Sequence, residues 1–567
     1  MARPEKVRLG EILVQQKLLT EEQLEGTLDE QKRSGRRLGH LFIEKGFVTE
    51  EQISKALSHQ LKIPYINLKQ FNVKPDLMRM LPEARARRFR AIVLDDDGKS
   101  VKIGMADPTD LNAYDQIARL LKRDIDVWVV TESQLLATID RFYRRTEQIT
   151  DLTQELEAEF SDVAVDFGAL ATTPGIEEAP VVKLLQTIFE DATQVRASDI
   201  HVEPQERRLH IRFRIDGVLH LQTEADNRIA AALVLRLKLI SGLDISEKRM
   251  PQDGRFNVKV RQAQIDVRVS TMPTQYGESV VMRLLNQGSG ILGLDRLGIP
   301  PAMLAQLRNV IARPSGMVLV TGPTGSGKTT TLYAVLSELN SVESKIITVE
   351  DPVEYRLPGI NQVQVHEKIG LTFDRVLRSA LRQDPDIILV GEMRDQDTVE
   401  TGLRAALTGH LVLSTLHTND AVSTPMRLLD MGAPRYMVAL SLHMVIAQRL
   451  VRMVCESCAQ PYTLLPNEHE WLKHELGDSV DGISYVRGQG CSHCNGTAYL
   501  GRTGVYEMLE MTKPVVEAAG QPDPNLFMEA GRRQMDGKTL RHHAAQLVAQ
   551  GKTTVYEAMR VSSQFED

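Results

Sequence analysis

The chain has 567 residues, 42% of them hydrophobic and 25% charged, with a formal net charge of -7 at pH 7. Such a length exceeds one core and implies roughly three or four domains, and the acidic balance argues against a non-specific nucleic-acid binder, whose domains carry a basic surplus. The opening MARPEKVRLGE lacks the apolar core of a signal peptide, and the longest apolar stretch, YMVALSLHMVIA, is too short to span a bilayer; a cytosolic protein that reaches any membrane through partners is expected.

In chain order the first feature is a duplication. RLGEILVQQKLLTEEQLEGTLDEQ (8–31) returns, after five residues, as RLGHLFIEKGFVTEEQISKALSHQ (37–60). Two copies are too few for a stacked-repeat architecture, which needs about three or more, so the duplication serves a local purpose. Thr20–Gln23 and Thr49–Gln52 each spell a capping box, which predicts a helix start. Leu24, Leu28 and Gln31 then share one helical face, as do Ile53, Leu57 and Gln60. Each copy offers an arginine (Arg8, Arg37), a close backbone approach at glycine (Gly10, Gly39), an apolar wall and a distal amide. Those are the groups a guanine needs, since arginine donates to its O6 and N7 edge. Two such units suit a ligand with two guanines and two phosphates. Packing of leucine-rich helices accounts for the leucines, but not for the matched arginine, glycine and glutamine. Lys17 stands where the second copy has Gly46, and Phe42 and Phe47 fill apolar positions.

The duplication and a small α/β unit make a first domain, 1–145. AIVLD, VKIGMAD and DVWVV read as its strands, and PTDLNAYDQIARLLK and TESQLLATIDRFY as its amphipathic helices. Residues 146–178 carry acids and no basic residue, the composition of a solvated linker. A second α/β unit, with alternating strands such as RLHIRFRIDG, spans 179–295. An NTPase core follows at 296–515, and a helical tail at 516–567.

Within the core, Gly322-Pro323-Thr324-Gly325-Ser326-Gly327-Lys328-Thr329-Thr330 lies between a β-run, Met317–Thr321, and an apolar helix. That context identifies a phosphate-binding loop. Its glycines let backbone N–H groups curl round phosphate oxygens, Lys328 reaches the β- and γ-phosphates of ATP, and Thr329 ligates Mg²⁺. The strand Ile387–Val390 ends in Gly391-Glu392, and IITVEDPVEY adds Glu350, Asp351 and Glu354 at another strand end. A carboxylate there can deprotonate the attacking water; Glu392 and Glu354 are the candidate bases. His410 and His417 flank the strand LVLST, where they would report on the γ-phosphate or serve the core.

GPTGSGKTTTLYA, VEDPVEY, RQDPDIILVGEMRD and GHLVLSTLHTND resemble the Walker A, Asp-box, Walker B and His-box motifs of the secretion ATPase superfamily, the hexameric motors of type II secretion and type IV pilus assembly. The resemblance continues through ASDIHVEP, IRFRIDG and DVRVSTMPTQYGESVVMRLL and covers roughly residues 180–510. It implies a multidomain α/β protein with a RecA-like core, a homohexamer, and inner-membrane platform proteins as partners without nucleic acid. It also implies that Arg214, Arg268 and Arg283, from the domain before the core, approach nucleotide within or across subunits.

All four cysteines fall in two pairs, Cys455-Glu-Ser-Cys458 and Cys491-Ser-His-Cys494. In a cytosolic chain such pairs read as a tetrahedral Zn²⁺ site, with redox pairs and buried thiols as alternatives; the metal would pin an inserted loop (455–494) to the motor. By resemblance, assembly and secretion motors carry this element and retraction motors lack it. The doubled phrase, with its KRSGR spacer, resembles the tandem cyclic-di-GMP-binding motif of mannose-sensitive-haemagglutinin pilus ATPases and some type II secretion relatives. That adds Leu9, Leu38 and His40 to the ligand set. A cyclic-di-GMP-controlled ATPase that extends a type IV pilus is therefore expected, with the type II secretion ATPase as the alternative. A signal-binding module on an inert scaffold and a DNA-uptake motor are further alternatives, the first disfavoured by the intact motor motifs and the second by the repeat.

Overall fold

The computed structural model describes residues 9–34, 38–71, 73–78, 80–142, 149, 153, 180–260, 263–286 and 292–562. Arg8, Arg37 and all but residues 149 and 153 of the 146–178 linker lie outside that set. The chain divides into two compact units: Met1–Arg196 with Cys455–Gln460 and Gly488–Tyr499, and Ala197–Val454 with Pro461–Arg487 and Leu500–Asp567.

The first unit opens with four helices, α1 (Leu9–Gln15), α2 (Glu21–Ser34), α3 (Leu38–Glu44) and α4 (Glu50–Leu61). Both capping boxes form. Thr20 N–H donates to Gln23 Oε1 at 3.0 Å and Thr49 N–H to Gln52 Oε1 at 2.7 Å, while each glutamine N–H returns to the threonine hydroxyl. α1 packs against α4 and α2 against α3, so the two copies cross. Ile12, Leu13, Leu19, Phe42, Val48, Ile53 and Ala56 form their shared core. Two short helices, α5 (Pro75–Met78) and α6 (Glu83–Phe89), lead to a three-stranded sheet, β1 (Ala91–Asp96), β2 (Ser100–Met105) and β3 (Asp124–Val129), flanked by α7 (Leu111–Leu121) and α8 (Glu132–Phe142).

The second unit holds two sheets. The first is six-stranded and antiparallel in the pairings β4 (Asp199–Pro204), β5 (Arg208–Ile215), β6 (Val218–Asp226), β7 (Gln252–Val260), β8 (Ala263–Thr274) and β9 (Gly277–Asn286), in the order β6-β5-β4-β9-β8-β7. Burial alternates along β5 and β7, as an antiparallel sheet with one solvated face requires.

The second sheet is seven-stranded. Its members are β10 (Gly316–Thr321), β11 (Ile346–Glu350), β12 (Asn361–Gln364), β13 (Ile387–Val390), β14 (Leu411–Leu416), β15 (Leu442–Val454) and, after the short ribbon β16 (Ala459–Pro461) and β17 (Val486–Gly488), β18 (Tyr499–Glu510). The order is β12-β11-β13-β14-β10-β15-β18, and the strands from β12 to β15 run parallel. β10, β11, β13 and β14 are buried at every position. Their continuous apolar runs follow from cover on both faces: Met317, Ile388 and Val412 point into one core, Val318, Leu389 and Leu413 into the other. The helical tail belongs to this core, since Phe527, Leu540, Ala544, Val548 and Val555 pack in the same cluster as Met317 and Ile388.

Candidate functional site

The parallel sheet brings four strand ends to one edge, and that edge is where ligands bind such sheets. β10 runs into the Gly322–Gly327 loop, and the helix Lys328–Leu339 begins at its end. Gly322 and Gly327 adopt φ of 145° and 90°. A side chain at Gly322 would lie 2.4 Å from the Gln448 carbonyl oxygen, and one at Gly327 would lie 2.8 Å from Gln448 Nε2. Both positions therefore require glycine for conformation and for space. Gln448, on β15, is what crowds them. It donates to the Ser326 carbonyl at 2.9 Å and accepts from the Thr331 hydroxyl at 2.7 Å, tying the loop to the following helix.

The Lys328 ammonium donates to the carbonyl oxygens of Gly322 at 2.7 Å and Pro323 at 3.2 Å. Burial pulls its pKa down to about 8, against the opposing charge of Glu392. Thr324, Thr329 and Thr330 are exposed on the same loop and first helical turn.

Glu392 follows β13 and stands between Arg394 and His417. Arg394 Nη2 contacts one carboxylate oxygen, and His417 Nε2 lies 3.2 Å from the other. His417 follows β14, so two adjacent strand ends place the pair. The loop behind His417 is fixed to the phosphate loop, with Thr418 N–H donating to Thr321 Oγ1 at 2.9 Å. β11 supplies the remaining acids, and they separate sharply. Glu350 is 3% exposed and accepts from the Tyr333 and Thr348 hydroxyls, both at 2.5 Å, and from Gln362; it is occupied by the fold. Burial, reinforced by Glu350, holds the Tyr333 phenol far above its ordinary pKa. Glu354 reaches Arg268, with Nη2 3.0 Å from Oε2.

His410 is not brought to this edge. It precedes β14, its backbone carbonyl accepts from Gly316 N–H at 3.1 Å, and its Nδ1 lies 3.0 Å from the Ala405 carbonyl. Gly316 begins the strand that the phosphate loop ends, and the registers Gly316↔Leu411 and Thr321↔Leu416 keep the two histidines a strand apart. At about 3.3 Å per residue that is roughly 20 Å. Flanking positions on one strand lie at opposite edges of a sheet, so the expectation of a shared γ-phosphate role for both histidines is corrected for His410.

The antiparallel sheet lines up its arginines. Arg214, Asp199, Arg283, Arg268 and Arg255 are consecutive cross-strand partners on β5, β4, β9, β8 and β7. Directly opposed residues project to one face, so four guanidinium groups form a row. Arg283 Nε donates to Asp199 at 2.9 Å, Arg214 lies 3.8 Å from the other Asp199 oxygen, and Arg255 meets the buried Asp266. Of the row, the sequence reading omitted Arg255, the fourth residue of β7. Arg394 and Gln448 were also missed; neither stands in a chemistry-bearing spacing, and only the sheet order puts Gln448 beside the loop.

In the first unit the four cysteines are buried and their sulfurs lie within 4.8 Å of one another. Cys455–Cys491, Cys458–Cys494 and Cys491–Cys494 are separated by 3.8, 3.9 and 3.8 Å. Four ligands at about 2.3 Å round a tetrahedral Zn²⁺ have edges of about 3.8 Å, whereas a disulfide needs about 2.05 Å. The backbone N–H groups of Cys491 and Ala498 donate to Cys494 Sγ, each at 3.2 Å, as support for a thiolate. The donor set fits the ion. These segments group with the first unit rather than with the motor: α8 packs on the Ser492–Cys494 turn, and the Ser457 hydroxyl contacts the Lys69 carbonyl.

In the tandem motif, Leu24, Leu28, Gln31, Leu57 and Gln60 are half-buried, and so are Leu38 and Gly39. Gly10 is needed for helix approach, since a side chain there would lie 2.4 Å from Leu24 Cδ1. Lys17 and Gly46 both take a left-handed conformation, with φ of 58° and 68°. The two copies thus turn alike despite the substitution. The side chains of Leu9 and His40 lie outside the described set.

A family model described as "Type II/IV secretion system protein" matches residues 176–560, and one described as "MshEN domain" matches residues 61–149. The type IV pilus assembly ATPase PilB of Myxococcus xanthus is 41% identical over 564 residues, 97% of this chain and 98% of that protein. The type II secretion system protein E of Dickeya dadantii is 41% identical over 502 residues, 86% of this chain and 98% of that protein. The X-ray structure of the Legionella pneumophila ATPase DotB matches at a TM-score of 0.50 and 22% identity, over 67% of this chain and 96% of that one, a likeness of fold.

Proposed function

Since the chain belongs to the family of type II and type IV secretion system ATPases, with an MshEN domain in its N-terminal region, we propose that it is a cyclic-di-GMP-regulated hexameric ATPase powering assembly of a type IV pilus of the mannose-sensitive-haemagglutinin kind. The observation that carries this reading is the union, in one chain, of the Lys328–Glu392–His417 edge with a duplicated helical motif whose copies pack crosswise.

ATP enters at the Gly322–Thr329 loop, whose N–H groups and helix N-terminus receive the phosphates. Lys328 exchanges its two carbonyl partners for the β- and γ-phosphates. Mg²⁺ bound with ATP would be held by the Thr329 hydroxyl and would neutralise developing charge. Glu392 takes the proton of the attacking water, and His417 orients that carboxylate from 3.2 Å. Glu354 is the alternative base, and it stands paired with Arg268 of the antiparallel sheet, Nη2 3.0 Å from Oε2. In a homohexameric ring, the row formed by Arg214, Arg283 and Arg268 supplies positive charge to a nucleotide within or across subunits. Cys455, Cys458, Cys491 and Cys494 would hold Zn²⁺, which would fix the cysteine turns, and partner platform proteins of the inner membrane receive the motion. Among the described residues no helix is long and apolar enough to cross a membrane.

One cyclic-di-GMP per chain sits between the two copies, Arg8 and Arg37 each facing a guanine or phosphate and Gln31 and Gln60 closing the far side. Calorimetry on the full chain tests this. Arg8→Ala and Arg37→Ala should each weaken binding about tenfold or more, the loss of one charge-assisted contact, with basal hydrolysis unchanged. A wild-type chain that shows no binding at micromolar ligand would remove the regulatory half of the reading. The type II secretion alternative is favoured by the Dickeya relative and disfavoured by the PilB match through the N-terminal region. A deletion strain distinguishes them: lost surface pili with intact secretion supports the pilus motor, and the converse supports the alternative.

A further inference from the structure

Behind His417 lies a buried carboxylate that neither the nucleotide edge nor the family motifs account for. Glu507 sits on β18 and is 3% exposed. Its Oε1 accepts the backbone N–H of Ala421 at 2.9 Å, and its Oε2 accepts the backbone N–H of Leu540 at 3.0 Å. Ala421 ends the loop that starts at His417. Leu540 is the first residue of the helix Leu540–Ala549, whose N-cap is Thr539. One side chain therefore joins the loop of the reactive edge to the tail.

The same loop is held elsewhere by groups of the motor sheet and by the first turn of the helix Ser423–Asp430. Thr418 N–H bonds Thr321 Oγ1, and Arg449 of β15, itself 3% exposed, donates to the Asn419 carbonyl at 2.8 Å. Those contacts fix its first half to strands that also hold the phosphate loop. Its second half is set by Glu507, and Glu507 is set by a helix start, where partial positive charge favours a carboxylate. Because Glu507 is buried, a donor that leaves it finds no water to replace the bond, so the two segments move together or an N–H is left unpaired.

We infer that Glu507 is a positioning residue for ATP hydrolysis: its carboxylate clamps the His417 loop to the first turn of helix Leu540–Ala549, so that the tail helix sets where His417 meets Glu392. The inference rests on the reading that His417 serves turnover.

The test is a double-mutant cycle on the full chain, read as steady-state kcat and KM for ATP. In Glu507→Gln one oxygen becomes an NH₂ group, which must face one of the two N–H donors. The expected result is a fall in kcat of about tenfold, the size of one lost hydrogen bond to a charged group, with KM for ATP within about twofold. In a His417→Ala background the same substitution should have little further effect, because coupled residues are non-additive. Equal fold-losses in both backgrounds, or an unchanged kcat in the single variant, overturn the inference. If His417→Ala alone leaves kcat unchanged, the reading of His417 fails instead, and the two failures are told apart. Glu507→Asp provides a second variant should Glu507→Gln misfold. It keeps the carboxylate but is one methylene shorter, so it cannot reach the Ala421 and Leu540 N–H groups together. A kcat fall with preserved KM supports the clamp, and a loss confined to thermal stability overturns it.

Discussion

The two edges of the seven-stranded sheet carry similar residues under different constraints. At the carboxyl ends of β10, β13 and β14 stand Lys328, Glu392 and His417, and each has a polar partner from another element. At the amino end of β14, His410 bonds only its own neighbourhood, through Ala405 and Gly316. The same strand thus offers one histidine to chemistry and one to the fold. Parallel strands put the loops that lead into helix N-termini on one edge, so reactive groups gather there irrespective of how the motif is spelled.

The comparison breaks most visibly at Lys328. Lys328→Ala removes the charge that receives the phosphates, and both ATP binding and hydrolysis should be lost, measured by nucleotide fluorescence and phosphate release. Next comes Glu392→Gln, which keeps the contact to Arg394 and His417 but not the basicity. It should bind ATP near normally and lose about 10²–10³-fold in kcat, within the range for a general base. If turnover stays near normal, Glu354 is the base and Arg268 its partner in that role. A pair of single substitutions then compares the edges directly: His417→Ala should cost about tenfold in kcat, and His410→Ala should leave kcat within about twofold while lowering the melting temperature. Equal losses in kcat would mean that distance along β14 does not separate the roles.

What was legible in the sequence follows the same division. Elements whose signals are local appeared in place: the capping boxes before α2 and α4, the strand Ile387–Val390, and the phosphate loop between its strand and helix. The cysteine spacing likewise pointed to sulfurs that the fold brings within 3.8 to 3.9 Å. Long-range register was not legible. Nothing in GHLVLSTLH tells which histidine stands at the edge of the phosphate loop, since that depends on β10 and β14 being parallel neighbours. The acids of IITVEDPVEY look equivalent in sequence, yet Glu350 is enclosed by Tyr333, Thr348 and Gln362 from three elements. The arginine row depends on cross-strand partners up to 84 residues apart, as in Arg283 with Asp199, and the grouping of the cysteine turns with the first unit depends on packing no local pattern records.

The smallest effect concerns the interior that backs both edges, and it is a matter of stability rather than rate. His543 lies on helix Leu540–Ala549, 5% exposed, with its Nδ1 accepting the Tyr506 backbone N–H at 2.9 Å and its ring stacked on Tyr506 at 6.1 Å. Burial, with His542 adding a minor repulsion, pulls its pKa down to about 4 from an ordinary 6.5. The fold therefore holds the neutral ring. Above about pH 6.5 both folded and unfolded chains are neutral at this position, and stability is unaffected. As pH falls below 6.5 the unfolded chain takes a proton that the folded chain refuses until about pH 4, so stability declines across that window. From pH 8 to 5 the contribution is about 2 kcal/mol at 1.36 kcal/mol per unit. Other groups titrate there too, so the measurement is a difference: urea unfolding of wild type and His543→Gln, in which the amide oxygen can still accept from Tyr506. The wild type should lose about 2 kcal/mol more than the variant between these pH values. Parallel pH profiles would mean that His543 is protonated within the fold, and that the interior behind β18 is wetter than its burial implies.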